Sequence, residues 1–268
     1  MNGDGFARCA RGHMHWGRYG AAGLMLHCDG HVLLQQRAWW CNGGGSWGTF
    51  GGGRHGHEDA VTAALRETAE ESSLDVSLVA AHGLAVEDHD GWSYTAVIGT
   101  TTHRPEVWPA SSESKDAGWF RIEEVDGLRL FRPFALSWPR LRTMLTKVVL
   151  VVDAANVMGS RPDGWWRDRL GAAARLRDSL AGLGPVPLAP FDEALPEIVL
   201  VVEGQARALE GVPGVRVVAA PGSGDDAIVG QIGDDAVYYV VTADRELRAR
   251  CEARGATALG PRWLLDRL

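Results

Sequence analysis

The sequence predicts an α/β protein built in two parts. Three observations carry this: a glycine-rich turn that runs into an acid-rich helix in the first half, extended segments on either side of that helix, and short valine-rich runs alternating with helical stretches in the second half. At 268 residues the chain exceeds the ordinary size of one domain, about 100–200 residues. All nine histidines precede residue 104 and none follows Lys147, so composition also changes where the apolar pattern does. The expected domains are 1–146 and 147–268.

In the first part, extended segments are expected at Ala21 to His27, His31 to Arg37, Leu84 to Val86, Tyr94 to Gly99 and Trp119 to Ile122. A second helix is expected from Pro133 to Thr146, with Phe134, Leu136, Trp138, Leu141 and Leu145 at helical spacing. In the second part, Val148 to Val152, Ile198 to Val202, Val215 to Ala219 and Val237 to Val241 are continuous apolar runs without polar alternation. Strands buried on both faces look like this, so a doubly wound parallel sheet is expected. Its first helix is placed at Trp165 to Leu180 behind a cap at Asp163, with apolar positions at 166, 170, 173, 176 and 180; Gly182 to Pro196 reads as a loop.

The apolar fraction of 46% and charged fraction of 23% belong to an ordinary globular protein and exclude a disordered or collagen-like one. No apolar run approaches the roughly 20 residues that span a bilayer, and the first residues lack a secretory apolar segment, so a cytoplasmic protein without a membrane partner is expected. A net charge of −7 gives no long-range attraction for a polyanion. Cys9, Cys28, Cys41 and Cys251 form no CxxC pair and read as free thiols; Cys9 with His13 and His15 could suggest a metal knuckle, but the second cysteine pair such a site needs is absent, so no zinc site is expected.

The most informative segment is 51–74, GGGRHGHEDAVTAALRETAEESSL. A helix is expected to begin near Asp59, with Val61, Ala64, Leu65 and Thr68 facing inward. Glu67, Glu70 and Glu71 then gather on a neighbouring face, where like charges repel by about 0.2–0.5 kcal/mol per pair with no lysine nearby. A hard dication such as Mg²⁺ would turn repulsion into attraction. Three glutamates alone read as a solvated face, but their spacing says more. Gly52, Glu58, Arg66, Glu67, Glu70, Glu71 and Leu74 match G-x5-E-x7-R-E-U-x-E-E-x-G-U, where U is a bulky aliphatic. A match of this quality arises by chance on the order of 10⁻⁴ times per chain if each residue type has a frequency of ~6%.

This pattern is the Nudix box, and residues 15 to 146 resemble a Nudix hydrolase. HVLLQQRA and SWGTFGGGR are similar to the lead into the box, and Glu113 ahead of Trp119 to a downstream acidic pattern. The resemblance implies an α/β/α sandwich with a mixed sheet and hydrolysis of a nucleoside diphosphate linked to a further group, with Mg²⁺ or Mn²⁺. It implies Glu70 and Glu71 as metal ligands, Glu67 as ligand or base, Arg66 as the residue that holds the glutamates, and Glu58 serving the metal site or loop. It further implies that the backbone of Gly51 and Gly52 approaches metal and phosphates and that Glu113 contacts substrate. Ser73 stands where a glycine closes the box helix, Thr68 where a large aliphatic belongs, and Phe50 where a proline precedes the glycines; a left-handed Ser73 would cost roughly 1 kcal/mol. His55 and His57 are expected in an exposed loop.

In the second part, Asp153, Glu203 and Asp244 each follow a valine-rich run, so a parallel sheet would place them on one edge, where such folds bind ligands. Asp225 and Asp226 follow PGSG at a helix start, where capping is the simpler role. VVDAANVMG, GSGDDAIV and VTADREL together resemble the NYN branch of the PIN-like nucleases. That implies Asp153, Asp225, Asp226 and Asp244 as ligands of Mg²⁺ or Mn²⁺, Asn156 as a substrate contact, Thr242 as support, and RNA as a partner, with Glu203 and Glu246 as further positions. No GK[ST] follows a glycine run, which excludes a P-loop. Two functions stand: a Nudix hydrolase with a second nuclease domain, or a nucleotide sensor with a binding module.

Overall fold

The computed structural model describes residues 3–161 and 164–268. The chain forms two compact units, residues 1–145 with 187–194, and residues 146–186 with 195–268.

The first unit is built on one mixed sheet ordered Glu193–Ala194, Ala80–Asp88, Ser93–Thr100, Ala21–Cys28, His31–Arg37 and Trp47–Gly48. Phe50–Gly53 pairs with the start of Ala21–Cys28, and Ser114–Arg121 pairs antiparallel with His31–Arg37. Ala21–Cys28 and Ser93–Thr100 run parallel, the remaining neighbours antiparallel. Strand residues alternate between faces. Leu24, Leu26, Leu33 and Val97 enter a core with the helix Ala60–Glu71, while Met25, Leu34 and Ile98, on the opposite face, are equally buried. Both faces of the sheet are therefore dry.

Asp59 caps the helix Ala60–Glu71, accepting from the Thr62 N–H at 2.7 Å. Its buried stripe is Ala60, Ala63, Ala64 and Thr68, with Val61 and Leu65 only partly covered. The inward face is thus rotated from the expected one toward small residues, which let the helix axis approach the sheet. The second helix is shorter than expected, Arg132–Leu141 followed by a single 3₁₀ turn at Arg142–Met144. Phe134, Trp138 and Leu141 are buried, whereas Leu136 is 75% exposed and does not serve the core.

The segment expected as a plain loop, Gly182 to Pro196, contains the short strand Glu193–Ala194, which extends the first unit's sheet against Ala80–Asp88. Asp192 accepts from the Val86 N–H at 2.7 Å and pairs with Arg140 at 2.7 Å. Phe191 is buried over Gly83, where a Cβ would intrude into its ring. Hydrophobic periodicity does not reveal a two-residue strand held by one aromatic plug and one carboxylate.

The second unit is an all-parallel five-stranded sheet ordered Val215–Ala219, Glu197–Val202, Lys147–Asp153, Ala236–Val241 and Thr257–Leu259. Chain order reverses between Lys147–Asp153 and Ala236–Val241, which opens a crevice beyond their carboxyl ends. The expected helix at Trp165 to Leu180 divides into a 3₁₀ turn, Trp165–Arg167, and the helix Arg169–Ala181, capped by Asp168 through the Gly171 N–H at 2.9 Å. The cap expected at Asp163 lies outside the described residues. Trp166 and Leu170 are exposed, and Ala172, Ala173, Leu176 and Leu180 form the buried stripe. No helix among the described residues is long and apolar enough to cross a membrane.

Phe191→Ala in the complete chain is expected to destabilise the first unit by about 3–5 kcal/mol and to remove hydrogen-exchange protection from Ala80–Asp88. Unchanged protection would show that the plug is dispensable.

Candidate active site

In the first unit the box carboxylates surround Arg66 rather than repelling one another. Its Nε donates to Glu58 Oε1 at 2.8 Å, Nη1 to Glu67 Oε1 at 2.8 Å and to Glu70 Oε2 at 3.4 Å, and Nη2 to Glu58 Oε2 and to Gly53 O, both at 3.0 Å. Glu58 is also held by the His55 N–H at 2.9 Å. The Arg66 hydrogen bonds, above all, keep the Glu58 carboxyl down at about 2, and Arg66 itself is raised chiefly by Glu58. The like-charge repulsion expected from sequence is thus offset by this guanidinium, which also ties the loop to the helix. His55, His57 and Glu58 each bring one donor atom to within 4.8 Å of the others, and the His55 ring approaches Glu58 at 3.2 Å.

Glu67 and Glu71 lie a helical turn apart and differ from Glu70, which is exposed. Burial pushes Glu67 upward, and Glu70 and Asp4 add to it against Arg66. Burial pushes Glu71 up to about 7, with Glu67 and Glu113 adding their charge against the Gly51 N–H and Gln35. Glu71 Oε2 accepts from Gly51 N at 3.2 Å and from Gln35 Nε2 at 3.1 Å. Gly51, at φ 152°, has no room for a side chain beside the Ala22 backbone. A Cβ at Gly52 would stand 2.5 Å from Glu67 Oε2. Gly52 therefore leaves the Glu67 carboxylate its room, while Gly51 lets its strand lie close against the Ala22 backbone with its N–H turned to Glu71. Glu113 is exposed, its backbone carbonyl accepting from Ala38 N at 2.7 Å.

In the second unit the crevice gathers most of the expected polar residues. Asp153 is buried, accepting from Thr242 Oγ1 at 2.9 Å and from Asn156 N at 3.0 Å. Asn156 Oδ1 accepts from the Ala243 N–H at 3.2 Å, and Asp244 caps the helix Arg245–Glu252. Burial raises Asp153, with Glu203 adding to it; burial also raises Asp225, reinforced by Asp244, Asp153 and Glu203 against Arg250. Asp225 is thus within electrostatic reach of Asp153, Glu203 and Asp244. Asp226, the next residue on the same helix, pairs instead with Arg250 at 2.6 Å, and Glu246 is exposed. Glu203 Oε2 accepts from the Gly224 N–H at 3.2 Å.

The NUDIX domain model matches residues 17–140. A putative 8-oxo-dGTP diphosphatase 3 of Mycobacterium tuberculosis is 40% identical over 161 residues, covering 56% of this chain and 73% of that protein. The chain belongs to the NUDIX family. A nucleoside triphosphate pyrophosphatase/Nudix hydrolase fusion protein of Bifidobacterium longum is 34% identical over 155 residues, 54% of this chain and 32% of that protein. Among solved structures, a Nudix hydrolase from M. smegmatis, RenU, superposes with a TM-score of 0.50 at 35% identity, covering 53% of this chain and 94% of that one.

The departures from the Nudix box are absorbed locally. Ser73 is not left-handed: the only described non-glycine residues at positive φ are Asp29 and Asp90. The helix closes instead through an extended Ser72, and the segment 108–110 takes up its end, with Ser73 N donating to Trp108 O at 3.0 Å and Ala110 N to Glu71 O at 2.9 Å. The expected strain is therefore absent. Thr68 buries its methyl and returns its hydroxyl to Ala64 O at 2.7 Å. Phe50 is buried in the core, a gain of roughly 1.5–3 kcal/mol that a proline would not supply in full.

Sequence reasoning missed the partners of Glu71 and Glu67. Gln35 is buried in a strand, gives one hydrogen to Thr49 O at 3.1 Å and accepts from Ser114, which fixes its amide toward Glu71. The signal was present as a glutamine inside an apolar run. Asp4, near the start of the chain, adds charge to Glu67 and carried no motif.

The folded Glu71 carboxyl binds its proton more tightly than the ordinary value of 4.5 allows, so its stabilising contribution is complete below 4.5 and is lost as pH rises through about 7. In metal-free protein at pH 8, Glu71→Gln is expected to raise stability by about 1–3 kcal/mol and flatten the fall between pH 5 and 8, read by thermal melts. A destabilised variant at pH 8 would contradict burial as the cause.

Proposed function

We propose that the first unit, with domain limits 1–146 supplemented by 187–194, hydrolyses the diphosphate linkage of a nucleotide derivative with Mg²⁺ or Mn²⁺. The carrying observation is that two partly buried, upward-shifted carboxylates, Glu67 and Glu71, lie a helical turn apart against the glycine turn, where Gly52 leaves room for Glu67 and the Gly51 N–H meets Glu71 at 3.2 Å. Buried negative charge with so little compensation suits a hard dication and its phosphate oxygens.

Glu70 and Glu71 would hold the ion, with Glu67 as a further ligand or as the base. Bound there, it would supply charge neutralisation for the diphosphate, a lowered pKa for a water and stabilisation of the leaving oxygen. The protein's own part is positional. Arg66 keeps Glu58 and Glu67 in fixed rotamers and holds exposed Glu70 through a longer contact of 3.4 Å, while Gln35 and the Gly51 N–H aim Glu71. Glu67, its proton affinity raised, is placed to accept a proton at its carboxylate. Glu113 and the backbone of Gly51 and Gly52 border the phosphates. The M. tuberculosis relative's name makes oxidised purine nucleoside triphosphates the first substrates to try.

The second unit, 147–268, is proposed as a PIN-like, NYN-type domain that cuts RNA with Mg²⁺ or Mn²⁺ held by Asp153, Asp225 and Asp244, with Asn156 toward substrate. What supports this is their convergence at the switch point of the parallel sheet, with Thr242 orienting Asp153. Asp226 contributes through Arg250 rather than at the crevice. The protein is proposed to act in the cytoplasm, with its four cysteines as free thiols there or as ligands.

Nucleoside triphosphates, dinucleoside polyphosphates and sugar nucleotides are expected to include one class turned over only with Mg²⁺ or Mn²⁺. Turnover should fall about 10²–10³-fold in Glu67→Gln and Glu70→Gln. Binding without turnover would favour a sensor. Single-stranded RNA should be cleaved with metal by wild type and not by Asp153→Asn; cleavage surviving that substitution would remove the nuclease assignment.

A further inference from the structure

The N-terminal hairpin, Phe6–Arg8 with Met14–Trp16, has too little core to account for its placement. Its strands are three residues long, and Phe6, Met14 and Trp16 are all exposed, at 65%, 60% and 49%. A lone two-stranded hairpin is at best marginal in water. What fastens it is polar. The turn of this hairpin meets the turn joining Ala80–Asp88 to Ser93–Thr100: Ala10 N donates to Asp90 O at 2.8 Å, and Arg11 pairs with Asp90 at 3.0 Å.

Four side chains meet at this junction. Buried Cys9 and the imidazoles of His13 and His15 come from the hairpin, and His89 from the opposite turn, with one donor atom of each within 4.8 Å of all the others. His13 immediately precedes the strand Met14–Trp16, and its ring centroid lies 6.2 Å from that of His15. His15 stacks on Trp92 with centroids 4.1 Å apart, and Trp92 Nε1 is anchored to Gly17 O at 2.8 Å. His89 is set by a turn with Asp90 and Gly91 at φ 57° and 91°, closed by His89 N to Trp92 O at 2.8 Å. His15 Nε2 and His89 Nδ1 are each buried with no hydrogen-bond partner among the described residues. A buried ring nitrogen left so is costly, and two of them beside a buried thiol form a donor set that lacks its acceptor.

We propose that Cys9, His13, His15 and His89 form a structural zinc site. One thiolate and three imidazoles suit Zn²⁺ in composition, and four protein ligands close a structural rather than a catalytic site. Donors in a tetrahedral zinc site stand about 3.3–3.6 Å apart, so small side-chain rotations close the cluster. Cys9 loses its thiol proton on binding, and its sulfur and the three ring nitrogens each give a lone pair to the ion. The fourth ligand comes from a histidine distant in the chain, which corrects the sequence expectation of no zinc site without a second cysteine pair. The ion's effect reaches toward the Nudix loop, because the strand end beyond the hairpin lies on it: Gly3 O accepts from Arg18 N at 2.9 Å, and a Cβ at Gly3 would strike Arg54 O.

Tag-free protein from zinc-supplemented cultures, dialysed against metal-free buffer, is expected to keep about one zinc per chain by elemental analysis. Cobalt(II) added to stripped protein should give a thiolate charge-transfer band saturating at one equivalent. Cys9→Ser should abolish the band and His89→Ala weaken zinc retention at least about tenfold, while Cys41→Ser keeps both. Chelation should raise hydrogen exchange in residues 3–16 before it affects the helix Ala60–Glu71. Wild-type protein holding almost no zinc and giving no cobalt band would overturn the proposal, as would a band or retained zinc indifferent to both Cys9→Ser and His89→Ala.

Discussion

The arrangement of the first unit depends on one guanidinium. Arg66 satisfies four oxygens on three glutamates and a glycine carbonyl, and without it the loop residue Glu58 and the helix residues Glu67 and Glu70 would have no common anchor. A buried charge left alone costs several kcal/mol, and a planar fork with five donors is the side chain that can serve so many acceptors at fixed angles. The price is that Arg66 must not neutralise the site completely. It does not reach Glu71, whose carboxyl stays high in proton affinity and faces glycine backbone.

The box was legible because its chemistry lies within one turn and one helix, so spacing along the chain translates directly into position in space. Asp59 as the cap and Arg66 as the organiser follow from that. The surroundings were less legible. Gln35 and Ser114 meet Glu71 through strand register, and nothing in their local sequence says which helix they face. Ser73 was expected to bear strain because a helix end was considered alone; the neighbouring segment 108–110 supplies the hydrogen bonds that a left-handed glycine otherwise arranges. Leu136 and Trp166 fit helical spacing yet lie on exposed faces, since periodicity finds an apolar stripe but not its exact rotation.

In the second unit the valine runs announced a parallel sheet, and parallel strands necessarily put their carboxyl ends on one edge. That geometry made Asp153 and Asp244 readable as neighbours although they lie far apart in sequence. It could not decide between Asp225 and Asp226. Adjacent residues of a helix diverge by about 100°, so the two meet different surroundings: Asp225 feels Asp153, Glu203 and Asp244, and Arg250 pairs with Asp226. The short fifth strand, Thr257–Leu259, has too few residues to show a period.

The strand Glu193–Ala194 ties the two modules together in time as well as in sequence. On the ribosome, the first sheet can acquire its outer strand only after the first strand and the long helix of the downstream unit, Lys147–Asp153 and Arg169–Ala181, have already been made. Recombination that cut this gene at the composition boundary would therefore separate a fold from its own last piece. Such a chain resists shuffling in a way that a simple string of domains does not, and the pairing of these two modules is to that extent locked into the polypeptide itself.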